Sequence, residues 1–199
     1  MKKEGLFTSK NIAVIALLVA LVAIFQFIGG YLRIGAVNFT IVLVPIVIGS
    51  IILGKAVGAI LGFLFGVIVL IQGVTGLDPF TYFLFSQNPF MTIAICLVKG
   101  TVAGFLSGLT FELLSKKNEY VATVVSAIVA PVVNTGLFII GSLIIKNVIT
   151  AYMQSVNLGV DVFYFLIIIC AGVNFLIEVC LNAICAPSLY KLTKTLKRR

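Results

Sequence analysis

Apolar runs separated by short polar breaks dominate the chain. Residues 11–30, 39–53, 56–74, 89–114, 120–145 and 163–190 are nearly continuous in Ile, Leu, Val, Phe, Ala and Gly. A helix needs about 20 apolar residues to cross about 30 Å of hydrocarbon. The pattern therefore predicts an all-α integral membrane protein of six transmembrane helices in one domain, residues 1–199. The second run is short and interrupted by Pro45, so it is expected to tilt, kink or shelter behind its neighbours. The first run is read as a span. It is too long for a cleaved signal and has no small-residue cleavage site.

The breaks differ on the two sides of this predicted bundle. On one side lie 31–38, 75–88 and 146–162, and on the other the short turns 54–55 and 115–119. Long loops can line and cover a site where short turns cannot. The break at 75–88 carries Asp78-Pro79 and ends at Asn88-Pro89, dipeptides that favour an extended or turn residue before the proline. Its aromatics Phe80, Tyr82, Phe83 and Phe85 suit either an interfacial belt or a lid over a pocket.

Composition makes the bilayer the solvent. The chain is 61% hydrophobic and 10% charged, with mean hydropathy +1.25. Soluble domains carry roughly 25% charged residues. The net charge of +8 reports orientation. With both termini cytoplasmic, eleven of the fourteen Lys and Arg fall inside, among them Lys2, Lys3, Lys55, Lys116, Lys117, Arg198 and Arg199. Charges divided among short loops do not make a nucleic-acid surface. Cys96, Cys170, Cys180 and Cys185 sit in apolar runs without a CxxC pair, and the chain has no His, so no metal or cofactor is expected.

Small residues recur at helical spacing. Gly54, Gly58, Gly62 and Gly66 form one ladder and Gly100, Gly104 and Gly108 another, as close backbone packing in lipid requires. Ala13, Ala16 and Ala20 make a smooth patch on the first run, suited either to internal packing or to docking a partner's helix. The stretch Gly49–Ala56 approaches a phosphate-cradling loop, but Ala56 lacks the hydroxyl that holds magnesium and no strand precedes it. No other motif could hydrolyse ATP.

Candidate chemistry lies in polar residues at membrane depth. A charge there costs about 2.5–3.5 kcal/mol on insertion scales. Lys99 stands ten residues past Pro89, about 15 Å along its helix. Asn134 and Asn174 reach similar depth, and Asn174, Glu178 and Asn182 share one face at four-residue spacing. Pro131-Val-Val-Asn134-Thr135-Gly136 should free carbonyls one turn earlier and offer donors beside them. Lys99 and Glu178 fit a mutual ion pair, and Lys99 equally fits a ligand carboxylate or snorkelling. Lys99, Asn134, Thr135, Asn174 and Glu178, with Gln87 and Asn88 from the outer break, are the candidate solute contacts.

Together these features resemble the substrate-binding S components of energy-coupling factor (ECF) vitamin transporters. The resemblance rests on Ala16 and Ala20, Val44-Pro-Ile-Val-Ile-Gly49, the glycine ladder, Asn88-Pro-Phe90, Leu97-Val-Lys-Gly100, Pro131–Gly136 and Asn174-Phe-Leu-Ile-Glu178, and covers nearly the whole length. It implies a vitamin bound under the outer loops and a first-helix alanine face docked on an EcfT-like transmembrane coupling subunit. It also implies toppling in the bacterial plasma membrane, powered by two cytoplasmic ATPases. The chain itself would be no enzyme. One deep cation among several amides favours pantothenate, with folate, a pyridoxine-like compound, a pyrimidine precursor or a corrinoid as alternatives. The absence of Trp argues against thiamin. Rivals from other classes are a stand-alone carrier with a proton site at Glu178 or Asp161, and an intramembrane enzyme or scaffold.

Overall fold

The computed structural model describes residues 9–31, 33–34, 37–38 and 41–197. The basic ends Lys2, Lys3, Arg198 and Arg199 lie outside the described residues. Helix α1 runs Ser9–Tyr31 and leads into a two-stranded antiparallel ribbon, β1 Arg33–Ile34 with β2 Val37–Asn38. Then follow α2 Leu43–Ile52, α3 Lys55–Val74, α4 Pro79–Gln87, α5 Pro89–Leu114, α6 Glu119–Ile144 and α7 Lys146–Ser155. The last rod starts as α8 Val162–Tyr164, passes through a π-helical stretch Phe165–Gly172 and continues as α9 Val173–Lys197.

Among the described residues, five helices are long and apolar enough to cross a membrane. The second run forms only the ten-residue α2. At 1.5 Å per residue it covers about 15 Å, roughly half the hydrocarbon. Seven of its residues are buried, so neighbours shelter it, as Pro45 suggested. Two outer breaks read as connections fold instead as α4 and α7. Asp78 and Pro79 supply the extended N-cap and the proline-first turn that start α4. Large apolar side chains cover the outside, including Phe90, Ile184 and Ile144 at 85%, 72% and 68% exposure. That surface suits lipid and would be untenable in water.

The glycine ladders hold α3 against α5. A Cβ at Gly62 would fall on the carbonyl of Gly100, and one at Gly100 on that of Gly62. Gly58 and Gly104 oppose each other in the same way, Gly66 meets the carbonyl of Cys96, and Gly108 faces the backbone of Lys55. Gly54 is not a rung. Among the described residues a Cβ there would meet no atom within 4 Å, and Gly54 serves the start of α3 with φ of 100°, a conformation that favours glycine. Inward of this contact, Ser50 Oγ and Ser107 Oγ lie 3.1 Å apart and Ser107 Oγ donates to the carbonyl of Ser126 at 3.0 Å. These bonds stitch α2, α5 and α6.

Pro131 does not break its helix: α6 is α-helical from Glu119 to Ile144. The irregular backbone lies in the facing rod, at Phe165–Gly172, where the sequence FLIIICAG carries no proline. A π-helical segment of this kind re-aims side chains and recurs at functional sites.

Candidate functional site

A cavity of about 110 Å³ lies between α1, α3, α4, α5, α6 and the final rod. It is much larger than a single water needs. Lys99 enters it from α5, one residue before the glycine that lets α5 touch α3. Its ammonium lies 5.6 Å from the ring centre of Phe65 and 5.4 Å from that of Phe138. Such cation–π contacts contribute about 0.5–2 kcal/mol. Among the described residues Lys99 joins no ion pair; Lys55 and Glu112 form one at 2.9 Å on the partly exposed surface. The Lys99–Glu178 pair anticipated as an alternative is not formed, although both side chains line the cavity.

Asn134 and Thr135 reach the cavity from α6, and Asn174 and Glu178 from α9. Asn182, one turn further on, is buried outside it and donates to the carbonyl of Glu178 at 2.8 Å. The carbonyl oxygens of the Asn134 and Asn174 side chains are buried without a hydrogen-bond partner. So is Oε1 of Gln26, which enters from α1. Leaving a buried acceptor unsatisfied costs about 1–3 kcal/mol. Three amide acceptors of this kind belong to residues that line one cavity, a set suited to O–H or N–H groups.

The α4 side adds a carboxylate and an aromatic roof. Asp78 lines the cavity; its Oδ2 accepts from Thr81 Oγ1 at 2.6 Å and its N–H donates to the carbonyl of Gln72 at 3.0 Å. Phe80 meets Tyr152 of α7 edge-on at 4.9 Å, Phe138 at 6.3 Å and Phe165 at 6.0 Å, and Phe83 meets Tyr152 at 5.4 Å. The aromatics of the outer break thus divide: Phe80 is buried over the cavity, and Tyr82 is half exposed. A smaller apolar space of about 20 Å³ adjoins, sharing Phe80, Lys99 and Phe138 as its wall.

Five of the seven sequence candidates therefore converge: Lys99, Asn134, Thr135, Asn174 and Glu178. Gln87 and Asn88 do not line the cavity. Gln87 is exposed, and Asn88 caps α5 by accepting from the Met91 N–H at 3.2 Å. Asp161 lies elsewhere, capping α8 through the Phe163 N–H at 2.8 Å. Sequence reasoning missed Gln26, the lone amide in the interior of the first apolar run, which was a readable signal. It also missed Phe65 and Phe138, which no pattern separates from lipid-facing aromatics, and took Asp78 for a turn former only. Ala13, Ala16 and Ala20 are exposed on α1, beside Leu17 at 61% exposure.

One lysine, two carboxylates, two hydroxyls and three unsatisfied amide oxygens between aromatic walls form a set for holding a polar solute. The family model for the ECF transporter substrate-specific component matches residues 10–190. No curated protein matches the chain in sequence. The chain thus belongs to the ECF transporter substrate-specific components, multi-pass membrane subunits that bind substrate without catalysis and work with EcfT and ATPase subunits.

Proposed function

We propose that the cavity captures a small hydroxylated carboxylate vitamin from outside the cell, pantothenate being the first choice. The observation that carries this is the combination of a deep ammonium that has no carboxylate partner among the described residues with three unsatisfied amide oxygens. Pantothenate offers one carboxylate for Lys99. Its two hydroxyls and one amide N–H match in number the acceptors of Gln26, Asn134 and Asn174. Thr135 and Glu178 complete the polar wall.

Delivery would follow the route the family implies. The bundle spans the bilayer six times with both termini cytoplasmic, α2 being the span completed by its neighbours. The exposed Ala13, Ala16 and Ala20 face docks on the coupling subunit, and the S component topples to present the vitamin inside. Two partner ATPases power the cycle in the bacterial plasma membrane. Calorimetric titration of the purified protein with pantothenate, folate, pyridoxine and cobalamin tests the first step. Saturable heat with pantothenate is expected, and its absence removes pantothenate.

A further inference from the structure

We propose that Gln26 is a solute-contacting residue that selects for a hydrogen-bond donor, and that Gln72 is the positioning residue that makes it so. This rests on the cavity being the solute site. Between Asn11 and Tyr31, α1 carries Gln26 as its single side chain with hydrogen-bonding groups. Gln26 is 3% exposed and Gln72, on α3, is 4% exposed, so both amides are removed from lipid and from water.

Their geometry fixes which atom meets the cavity. Gln72 Nε2 donates to the main-chain carbonyl of Gln26 at 3.4 Å, and a main-chain carbonyl cannot exchange its oxygen for a donor. That contact orients the Gln72 amide, whose Oε1 then accepts from Gln26 Nε2 at 2.8 Å. Gln26 lines the cavity, and its Oε1 is left buried and unsatisfied, the one atom of the amide still able to accept. Gln72 itself does not line the cavity. The wall at α1 is therefore acceptor-only. A solute bearing O–H or N–H at that point satisfies it, and one bearing a carbonyl, an ether or a methyl leaves it unsatisfied. A site built to hydrogen-bond a substrate O–H rejects analogues lacking it far more sharply than an apolar pocket does. The contact also ties α1, the helix with the exposed alanine face, to solute occupancy.

The test titrates pantothenate, folate, pyridoxine and cobalamin into wild type, and the vitamin that binds into Gln26→Met, Gln72→Met, the double variant and Lys99→Ala. Gln26→Met should weaken binding about tenfold, the scale of one lost buried acceptor. Gln72→Met should also weaken it, yet add nothing in the Gln26→Met background, because it acts through Gln26. Replacing both amides by isosteric apolar groups is close to neutral for folding. The double variant without ligand should thus melt no lower than wild type while binding about tenfold more weakly. Should the Met variants fail to fold, Gln26→Glu, which as the neutral acid donates to Gln72 Oε1 and keeps an acceptor at the same reach, should bind within about threefold of wild type when titrated at a pH where that acid is protonated, well short of one lost acceptor.

Wild-type affinity in the double variant overturns the proposal, and so does a tenfold loss in Gln26→Glu. Additive effects of the two Met changes overturn the role of Gln72. Loss of binding in Lys99→Ala with no change in Gln26→Met overturns this inference and leaves the cavity as the solute site. Binding of no vitamin by wild type, or indifference to both Lys99→Ala and Gln26→Met, overturns the cavity reading and this one with it.

Discussion

Lys99 holds an ammonium at membrane depth against two ring faces, at 5.6 and 5.4 Å. Cation–π attraction of about 0.5–2 kcal/mol offsets only part of an insertion cost of about 2.5–3.5 kcal/mol. A solute carboxylate would offset the rest. Lys99→Ala should therefore weaken binding of a carboxylate solute at least about a hundredfold by titration, the scale of a lost charge-assisted bond. Changing Lys99 and Glu178 together to Met should not restore it, because the two are not paired with each other. Asn134→Leu and Asn174→Leu should each weaken binding about tenfold while leaving the melting temperature of the unliganded protein unchanged or higher. Each removes an acceptor that the fold does not satisfy. These three residues were legible because polar atoms are conspicuous in apolar runs. Gln72 was not, since its role depends on a partner 46 positions away. Gln87 and Asn88 were drawn in by proximity to a polar loop, and helix capping accounts for Asn88 without any solute.

At the scale of elements, the long helices were readable from apolar length alone, and the glycine rungs from their spacing. What could not be read was which rungs engage. Gly54 fits the spacing but lies at a turn, and Gly136 meets open space. Gly62→Ala or Gly100→Ala drives a methyl into the facing backbone and should lower stability by about 1–3 kcal/mol, measured as detergent-phase melting. Gly136→Ala should be neutral or stabilise by up to about 1 kcal/mol, because it only raises helix propensity. The π-helical stretch left no mark in FLIIICAG, which carries no proline. Pro131 sits within an unbroken α6. Loss of one N–H is tolerated within a helix whose neighbours support it.

For the whole molecule, exposed alanines and a solute cavity occupy different parts of the bundle, so docking and binding should separate. Ala16→Trp or Ala20→Trp should leave vitamin affinity within about twofold of wild type, as surface changes do. The same changes should abolish copurification with the coupling subunit and uptake by cells. Vesicles containing this chain alone should bind the vitamin without accumulating it. Accumulation driven by a proton gradient would instead favour the stand-alone carrier. The cavity was not legible, because no single run contains it: six parts of the bundle each contribute one to four side chains.

The interlocked glycines of α3 and α5 also decide where the cavity can open. Phe65 and Lys99 ride on two backbones with no slack between them, so their spacing stays constant as a solute comes and goes. The door must hang on the opposite jamb, where Phe80, Tyr152 and Phe165 meet through side-chain rings 4.9 to 6.0 Å apart and no interlocked backbone is seen among the described residues. A covalent tether from α4 to α7 should shut the vitamin out, and one from α3 to α5 should pass unnoticed.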